Sequence, residues 1–511
     1  MAVALQAGCR SASGGRSTIG GKAHPMQNLL NAPRGPFAGR KGRARRETLT
    51  AYLFLLPAIL IIFIFGLWPV AHALYVSLHK WNVKPRGSQC LPYWLASLGM
   101  GSEEALEQTD CLGIDNYVEL LGLGDAWAVL GMIVALALGA VAYSLWKRSR
   151  RDEVPSRGLQ VAAGAVAVAG LVFLLRALPG LIESGEWTYL VGIGLALLSW
   201  LIWKGSNLAE SSWRVIARWV AIVALLSAAS FFFFVDFQRM WELGDQDYFR
   251  SLIYTVFYSA GTVPVQLGVS LVLAYILFQG VRGQGAFRLL YFMPYIAPSV
   301  ATAVVFKRIF SLRDTALANN LIGLVGIPPL KWLHEAKGVN LVIMDLINEI
   351  FGTTMAWPEF SDPLNVILSG PSLALVSIIM YNWWVFIGYD TVIYLAGLGA
   401  IPHELYEAAE IDGAGRWSLF RKITIPLLSP TTFFLSVIAV IGTFKAFNHI
   451  FIMKEYAARD TVDTASILIY DTFRGNGQFG EAAAMAFILF GVILAISQIQ
   501  NRIGEKMVFY G

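Results

Sequence analysis

Residues 407–426 have the sequence EAAEIDGAGRWSLFRKITIP, a charged stretch that contains glycine and lies between two long apolar segments. The triplet Glu-Ala-Ala is followed by three residues, Gly413, nine residues and Ile423, with Pro426 closing the stretch. Pro402 and the carboxylates after it suit the start of a helix, where a missing N–H is harmless and the dipole favours negative charge. Gly413 permits a change of direction. The stretch therefore suits a helix that begins after Pro402 and a change of direction at Gly413.

The composition of the chain is that of an integral membrane protein. Of the 511 residues, 56% are hydrophobic and 14% are charged, and the mean hydropathy of +0.58 is too high for a soluble protein of this size. A helical span needs about 20 mostly apolar residues. Ten segments meet this requirement, at roughly 51–79, 126–146, 157–178, 187–203, 215–235, 251–279, 289–310, 371–397, 427–452 and 478–501. The sequence predicts an all-α polytopic membrane protein with about ten transmembrane helices.

The distribution of charge predicts the orientation of these spans. Nine Lys or Arg residues fall within residues 1–50, and five more lie between residues 147 and 157. By the positive-inside rule, both regions are cytoplasmic. Because successive loops lie on alternate sides of the membrane, residues 402–426 and the C-terminus are also predicted inside, and the acidic loops are predicted outside. Residues 1–50 lack apolar periodicity, so we predict a basic cytoplasmic tail without fixed structure.

The spacing within residues 402–426 resembles the cytoplasmic EAA loop of binding-protein-dependent ABC importers, specifically the permease subunits of the maltose and related sugar importers. Ile425 replaces the usual leucine before the proline and keeps its apolar character. In that family the loop forms two short helices at an angle. The first of them lies in a groove on the ATPase subunit and passes its closure to the transmembrane helices. The resemblance thus implies a type I ABC importer permease core. The implied ATPase-coupling residues are Glu407, Ala408, Ala409, Asp412, Gly413, Ile423 and Pro426.

The resemblance covers about 51–80 and 234–511, and a long segment interrupts it. Residues 126–235 hold four predicted spans, and this even number preserves the polarity of everything that follows. We therefore predict an inserted four-helix membrane module, with few ionisable groups in its spans, that packs against lipid and the core. The predicted organisation is a tail at 1–50, a first core span at 51–79, an outer loop at 80–125, the module at 126–235 and the permease core at 236–511.

Two predicted outer loops leave alternatives open. The long loop 311–370 contains an amphipathic piece, NLVIMDLINEIF at 340–351, and it either touches a substrate-binding protein or packs on itself as a lid. Cys90 and Cys111 share the first outer loop. In an oxidising compartment they either form a disulfide worth roughly 3 kcal/mol or remain free thiols.

The sequence carries none of the usual patterns of an enzyme. Residues 15–23, GRSTIGGKA, lack the G-x-x-x-x-G-K-[ST] spacing of a phosphate-binding loop. The six histidines are scattered, and no Cys or His pair has the spacing of metal ligands. We predict a transport subunit without catalytic residues, metal site or cofactor of its own. ATP and magnesium are expected on partner ATPase subunits.

A path for a sugar requires hydrogen-bonding groups and aromatic faces within the membrane, because each hydroxyl must exchange water for an equivalent partner. The eighth and ninth predicted spans supply both kinds of group, and in the maltose-type subunits that this chain resembles the corresponding helices line the sugar cavity. The candidate path residues are Asn382, Trp384, Tyr389, Lys445, Asn448 and His449. For each, an interhelical hydrogen bond or an interface anchor is the alternative role.

Carboxylates inside the spans are scarce. Ion-coupled carriers place such groups there, because a proton or sodium ion must be bound within the bilayer. The apolar stretches 251–281, 289–306, 427–444 and 482–501 contain none. Asp390 is the exception, at a position toward the inner end of its span from which it can snorkel to water. The sequence therefore favours ATP-driven movement over a secondary carrier.

These patterns together predict a permease subunit of an ATP-driven ABC importer for sugars, with a di- or oligosaccharide such as maltose or trehalose as substrate, in the inner (cytoplasmic) membrane. The expected partners are a second permease subunit, two ATPase subunits, an extracytoplasmic substrate-binding protein, the sugar and membrane lipid, without nucleic acid. The alternatives are a permease for glycerol phosphate or another polar solute, and a secondary carrier that needs no motor.

Overall fold

The computed structural model describes residues 40–79, 114–123, 157–183, 187–204, 212–280, 282–354, 356–358 and 362–507, with separate positions between 132 and 145. The described residues divide into two units, 40–71 and 72–507. Among the described residues, every regular element is a helix apart from one antiparallel bridge between Gly338 and Ser372. The prediction of an all-α fold is confirmed.

The helices are numbered in chain order. The first eight are α1 (Arg40–Ile62, a π-helical turn Phe63–Leu67 and Trp68–Ser77), α2 (Asp115–Leu121), α3 (Arg157–Glu183), α4 (Trp187–Lys204), α5 (Ser212–Leu243), α6 (Gln246–Phe278), α7 (Gln284–Ile296) and α8 (Ser299–Ile309). The next five are α9 (Leu317–Gly323), α10 (Val339–Phe351), α11 (Leu364–Ser369), α12 (Leu373–Gly399) and α13 (His403–Ile411). The last six are α14 (Arg416–Leu419, a π-helical turn Phe420–Thr424 and Ile425–Leu427), α15 (Ser429–Phe444), α16 (Asn448–Met453), α17 (Arg459–Val462), α18 (Ala465–Asp471) and α19 (Phe479–Met507).

Six helices in the described part of the chain are long and apolar enough to cross a membrane, and up to eight spans result if each of two bent pairs counts as one. Helix α4 occupies the predicted span 187–203, whereas most of 126–146 lies outside the described residues. The total of ten therefore stays a prediction. The predicted tail 1–50 is too long, because α1 already begins at Arg40, where Arg, Lys and Ala favour helix.

Two predicted spans are broken rather than straight. The segment 289–310 is divided into α7 and α8, which meet at 96°. Pro298 cannot donate a backbone hydrogen bond, and Ala297 before it adopts the extended conformation (ψ 142°) that a following proline imposes. The segment 427–452 is also interrupted: α14 and α15 meet at 62°, and α15 ends at Phe444 before α16 begins.

The predicted module 126–235 has a wrong C-terminal boundary. Helix α5 continues to Leu243, so Asp236 lies within the helix and not in a separate loop. The end of α2 and the end of α5 lie next to each other. A Cβ atom on Gly244 would lie 2.8 Å from the backbone nitrogen of Gly122, and the Asp245 N–H donates to the Leu120 carbonyl at 3.2 Å. The residues that flank the predicted module therefore meet in space.

Helix α12 is the central element of the second unit. It is apolar on all sides and buries residues along its whole length, which is the pattern of a helix surrounded by protein. Gly388 lets α7 approach closely, since a Cβ atom there would collide with the Tyr291 carbonyl oxygen. At Gly397 a Cβ atom would lie 2.8 Å from the Thr431 hydroxyl. These two glycines set α7 and α15 against α12 and so place the elements of the candidate site.

Candidate functional site

The loop 402–426 folds as two short helices, α13 and α14, as the family resemblance implies. Gly413 joins them with φ +81°, a left-handed conformation that favours glycine. The Gly413 N–H donates to the Glu410 carbonyl at 3.0 Å, and the Ala414 N–H donates to the Ala409 carbonyl at 2.9 Å. This pair of bonds is a Schellman motif, which satisfies the last carbonyls of α13 and ends the helix.

The second helix of this loop is anchored to the helical bundle. The Phe420 ring lies 4.6 Å from the Tyr275 ring on α6, centroid to centroid. Within the loop, the hydroxyls of Tyr406 and Thr424 lie 3.1 Å apart and connect α13 to α14. Leu428, directly after α14, is fully buried in a cluster with side chains of α6 and α12. A displacement of α13 would thus be transmitted through α14 to these two long helices.

The first helix, by contrast, is largely uncovered. Among the predicted coupling residues, Glu407, Ala408, Asp412 and Gly413 are exposed, whereas Ala409, Ile423 and Pro426 are half-buried. Ile411 has 86% of its surface exposed, and Trp417 on the second helix has 70%. Large apolar side chains exposed beside carboxylates are typical of a surface that a partner covers.

A cavity of about 470 Å³ lies between α6, α7, α8, α12, α15 and α16. Tyr295 and Tyr389 stack against each other in its wall, with ring centroids 4.4 Å apart, and Phe386 packs edge-on against Tyr295 at 5.7 Å. The aromatic rings offer apolar faces beside polar groups, a combination that suits a ligand with both C–H and hydroxyl surfaces.

The polar groups of the cavity are held by hydrogen bonds between helices. The His449 Nε2 and the Tyr258 hydroxyl lie 2.7 Å apart. The Asn382 amide donates to the Gln266 carbonyl oxygen at 3.3 Å. The Tyr381 hydroxyl donates to the Ser299 carbonyl at 3.1 Å, directly after the bend between α7 and α8. The lining thus connects the central helix to the broken one.

The structure brings four of the six predicted path residues together. Asn382, Tyr389, Asn448 and His449 line the cavity. Trp384 is not part of the lining, since it is 43% exposed and packs against Phe306 with ring centroids 5.1 Å apart. Lys445 is exposed at the end of α15 and is also absent from the lining.

Several lining residues were not identified from the sequence. Gln266, Tyr295 and Thr443 border the cavity without having been named as candidates. Gln266 is a polar residue inside an apolar span, and this property alone could have identified it. The sequence position of Asp390 allows it to snorkel to water, but the structure buries this residue. Its side chain is only 2% exposed, and it borders the cavity beside Gln266.

The remaining sequence predictions concern metal binding, a cysteine pair and the loop 311–370. Within the described residues, no group of three His, Cys, Asp or Glu side chains could hold a metal ion. Cys90 and Cys111 lie outside the described residues. In the predicted outer loop 311–370, the amphipathic piece forms α10, whose Ile343, Ile350 and Phe351 side chains are exposed.

Comparison with known proteins gives a family and several relatives. Residues 266–508 match the model of the family described as "Binding-protein-dependent transport system inner membrane component". The chain is 30% identical over 269 residues to the lactose transport system permease protein LacF of Rhizobium radiobacter, covering 51% of this chain and 77% of that protein. It is 32% identical over 271 residues to the sn-glycerol-3-phosphate transport system permease protein UgpA of Agrobacterium fabrum, covering 53% and 80%.

Two further proteins are more distant. The trehalose/maltose transport system permease protein MalF of Thermococcus litoralis is 24% identical over 263 residues, covering 52% of this chain and 77% of that protein. Among solved structures, a bacterial ABC transporter involved in the import of the acidic polysaccharide alginate matches at 21% identity with a TM-score of 0.42, covering 59% of this chain and all of that one.

Proposed function

The chain belongs to the family of inner membrane components of binding-protein-dependent transport systems, as a permease of the sugar-type ABC importers, and from this premise we propose that its 402–426 loop couples partner ATPase subunits to sugar movement. The observation that carries this proposal is the geometry of the loop. Its first helix is exposed and ends in a glycine turn, while its second helix packs on α6. In this arrangement the first helix is free to contact a partner, and the second helix would pass a movement of the first to the bundle.

The proposed assembly contains a second permease subunit, two ATPase subunits and a substrate-binding protein on the opposite side of the membrane. The charge distribution supports an orientation with both termini and the 402–426 loop in the cytoplasm. ATP and magnesium would then be bound by the ATPase subunits, to which α13 would present its carboxylates and Ile411.

The proposed substrate is a di- or oligosaccharide. The cavity supports this choice, because it combines stacked tyrosines with amide and hydroxyl groups. Relatives named for lactose and for trehalose/maltose support it as well. Glycerol phosphate is the second candidate, since a relative named for that solute is 32% identical.

The coupling role can be tested by a reversal of charge on α13. Glu407 is exposed and contacts His403 at 3.1 Å, so replacement by lysine leaves the packing of the bundle intact. We expect Glu407→Lys to weaken binding of the ATPase subunits by roughly tenfold, because it reverses the charge that α13 presents to the partner and so disrupts electrostatic complementarity. The measurement is the amount of ATPase subunit that co-purifies with the tagged permease, together with ATP-dependent sugar uptake.

The matched control is Glu349→Lys, which reverses an exposed carboxylate on α10, far along the chain from the loop. It should leave ATPase binding unchanged. Uptake that continues without any co-purifying ATPase would support the secondary carrier and contradict the proposed function.

A further inference from the structure

Helix α14 has an exposed face that the proposed contact of α13 with an ATPase does not use. The helix buries Leu419, Phe420 and Thr424, so one side of it is fixed against the rest of the protein. Its exposed side chains, here called the basic face, are Arg416, Trp417, Arg421, Lys422 and Ile425. Trp417, Arg421 and Ile425 are spaced four residues apart, which places them on one side of the helix.

The charge of α14 is opposite to that of the helix before it. All charged residues of α14 are basic, and none of them forms an ion pair with a residue that the structure describes. The exposed carboxylates before the turn are Glu404, Glu407, Glu410 and Asp412. The turn at Gly413 thus separates an acidic surface from a basic one. A partner surface that complements the carboxylates of α13 is itself basic and repels α14, so the two helices suit different partners.

Helix α14 lies at the level where the long apolar helices end. Its Phe420 ring contacts Tyr275 in the last turn of α6, with ring centroids 4.6 Å apart. Leu428, at the break before α15, is buried in one cluster with Leu277 in the last turn of α6 and Leu398 near the end of α12. Helices α6 and α12 are candidate membrane spans, and α14 itself is joined to α15 at a bend of 62°. The ends of membrane spans lie in the headgroup layer, so we expect α14 to lie there too.

The residue types of the basic face suit this layer. Tryptophan is enriched at the membrane surface, because its ring is apolar and its N–H is polar. The side chain of Trp417 is 70% exposed, and that of Ile425 is 40% exposed. The cytoplasmic leaflet carries anionic lipids, and each lysine or arginine near such a surface strengthens binding by about fivefold. Three unpaired cations beside an exposed indole therefore match anionic headgroups.

We propose that the basic face of α14 binds the headgroups of anionic phospholipids and so holds the second helix of the loop at the membrane surface while α13 contacts the ATPase. This inference goes beyond the proposed function, and it rests on that function for the cytoplasmic position of the loop. The ligand is a lipid of the surrounding leaflet and not a soluble anion, because the face adjoins the ends of the spans.

The test measures which lipid lies next to α14 in the assembled complex, reconstituted in nanodiscs that contain equal amounts of phosphatidylglycerol and phosphatidylcholine. The fluorophore NBD is attached at Gly415→Cys, where a Cβ atom meets nothing within 4 Å, in a background with Cys9→Ser, Cys90→Ser and Cys111→Ser. A nitroxide on the upper part of an acyl chain quenches NBD at close approach, and it is placed either on phosphatidylglycerol or on phosphatidylcholine. We expect stronger quenching when phosphatidylglycerol carries the nitroxide.

Loss of positive charge should remove this preference. Arg421→Gln/Lys422→Gln should lower the preference for phosphatidylglycerol by at least about fivefold, whereas Arg421→Lys/Lys422→Arg should keep it because the charge is unchanged. The matched control is Arg313→Gln/Lys331→Gln, which removes two exposed cations from the predicted outer loop 311–370 and should behave as the wild type. The preference is a ratio taken on one purified complex, so a lower yield of a variant does not alter it.

The contrary outcomes are distinct. Equal quenching by the two lipids, or an unchanged preference in Arg421→Gln/Lys422→Gln, would overturn the inference. Quenching by neither lipid, or quenching that appears only after the ATPase subunits are removed, would show that a protein covers the basic face and would overturn it as well. Co-purification of the ATPase is measured on the same samples. If no ATPase subunit co-purifies and the preference for phosphatidylglycerol persists, the proposed function fails and the lipid contact stands.

Discussion

Gly413 determines the angle between the two helices of the 402–426 loop. Its φ of +81° disfavours any residue with a side chain, and a Cβ atom there would meet nothing within 4 Å. The effect of Gly413→Ala is therefore purely conformational, about 1 kcal/mol against the observed turn. We expect reduced ATPase binding and transport in Gly413→Ala, a stronger loss in Gly413→Arg and a smaller one in Gly413→Asn, since asparagine tolerates this conformation. ATPase co-purification and sugar uptake measure the effect.

The neighbouring Gly415 supplies the control for this series. It has an ordinary φ of −73° and is equally open, so Gly415→Ala adds the same methyl group without backbone strain. This variant should behave as the wild type. Unchanged transport in Gly413→Arg would count heavily against a docking role for the loop.

The conformation of the loop at Gly413 could be predicted from the sequence, whereas the residues that line the cavity could be predicted only in part. The turn at Gly413 depends on local conformation, which the residue type reveals directly. The lining of the cavity depends on how α12 is rotated within the bundle. Tyr389 faces the cavity and Trp384 does not, although both are aromatic residues of one apolar helix. No periodicity distinguishes the faces of a helix that is apolar all round.

At the scale of elements, the contact between α7 and α12 depends on Gly388. A Cβ atom at that position would collide with the backbone of Tyr291, which no side-chain rotation can relieve. We expect Gly388→Ala to separate the two helices, lower the thermal stability of the solubilised complex and reduce transport, because Tyr295 on α7 also forms part of the cavity wall. Thermal denaturation followed by size-exclusion chromatography measures this loss.

Gly268→Ala is the matched control for this helix contact. Gly268 lies in the interior of α6, and a Cβ atom there meets nothing within 4 Å. The substitution should be neutral or stabilising by up to about 1 kcal/mol, since alanine favours helix more than glycine does. If both alanine variants were equally stable, close packing at Gly388 would not be what holds α7 in place.

The elements show where sequence patterns are sufficient and where they are not. The long helices α6, α12 and α19 follow from hydropathy and length. The bend before α8 has a local cause in Pro298. A proline inside a predicted span can indicate such a break. The interruption between α15 and α16 has no proline at residues 445–447, so hydropathy alone predicted one continuous span.

At the scale of the whole molecule, the path of the chain across the membrane depends on the bent pair α7 and α8. If this pair crosses the membrane, residues before and after it lie on opposite sides; if it is re-entrant, they lie on the same side. We expect Arg282→Cys to be labelled only from the cytoplasm. Val325→Cys, at a residue that is 77% exposed, should be labelled only from outside. Both variants are made in a background with Cys9→Ser, Cys90→Ser and Cys111→Ser. Membrane-impermeant maleimides on intact cells and inverted vesicles measure this. Labelling of both from one side would contradict the predicted orientation.

The segment between α2 and the end of α5 is the largest feature outside the matched family region, which begins at residue 266. Because its two ends meet at Gly122 and Gly244, we expect that the segment can be removed without moving either flank. Removing residues 124–236 also deletes both Thr188 and Asp236, which hydrogen-bond to each other, so no buried carboxylate loses its partner. A linker of about four Gly or Ser residues spans the gap.

We expect the shortened permease to assemble in lower yield but to carry the same sugar, because none of the described cavity residues belongs to the segment. Uptake of competing radiolabelled sugars measures this, with the same linker inserted after Leu123 of the full-length chain as control. A shortened permease that assembles normally yet carries a different sugar would show that the segment contributes to the path.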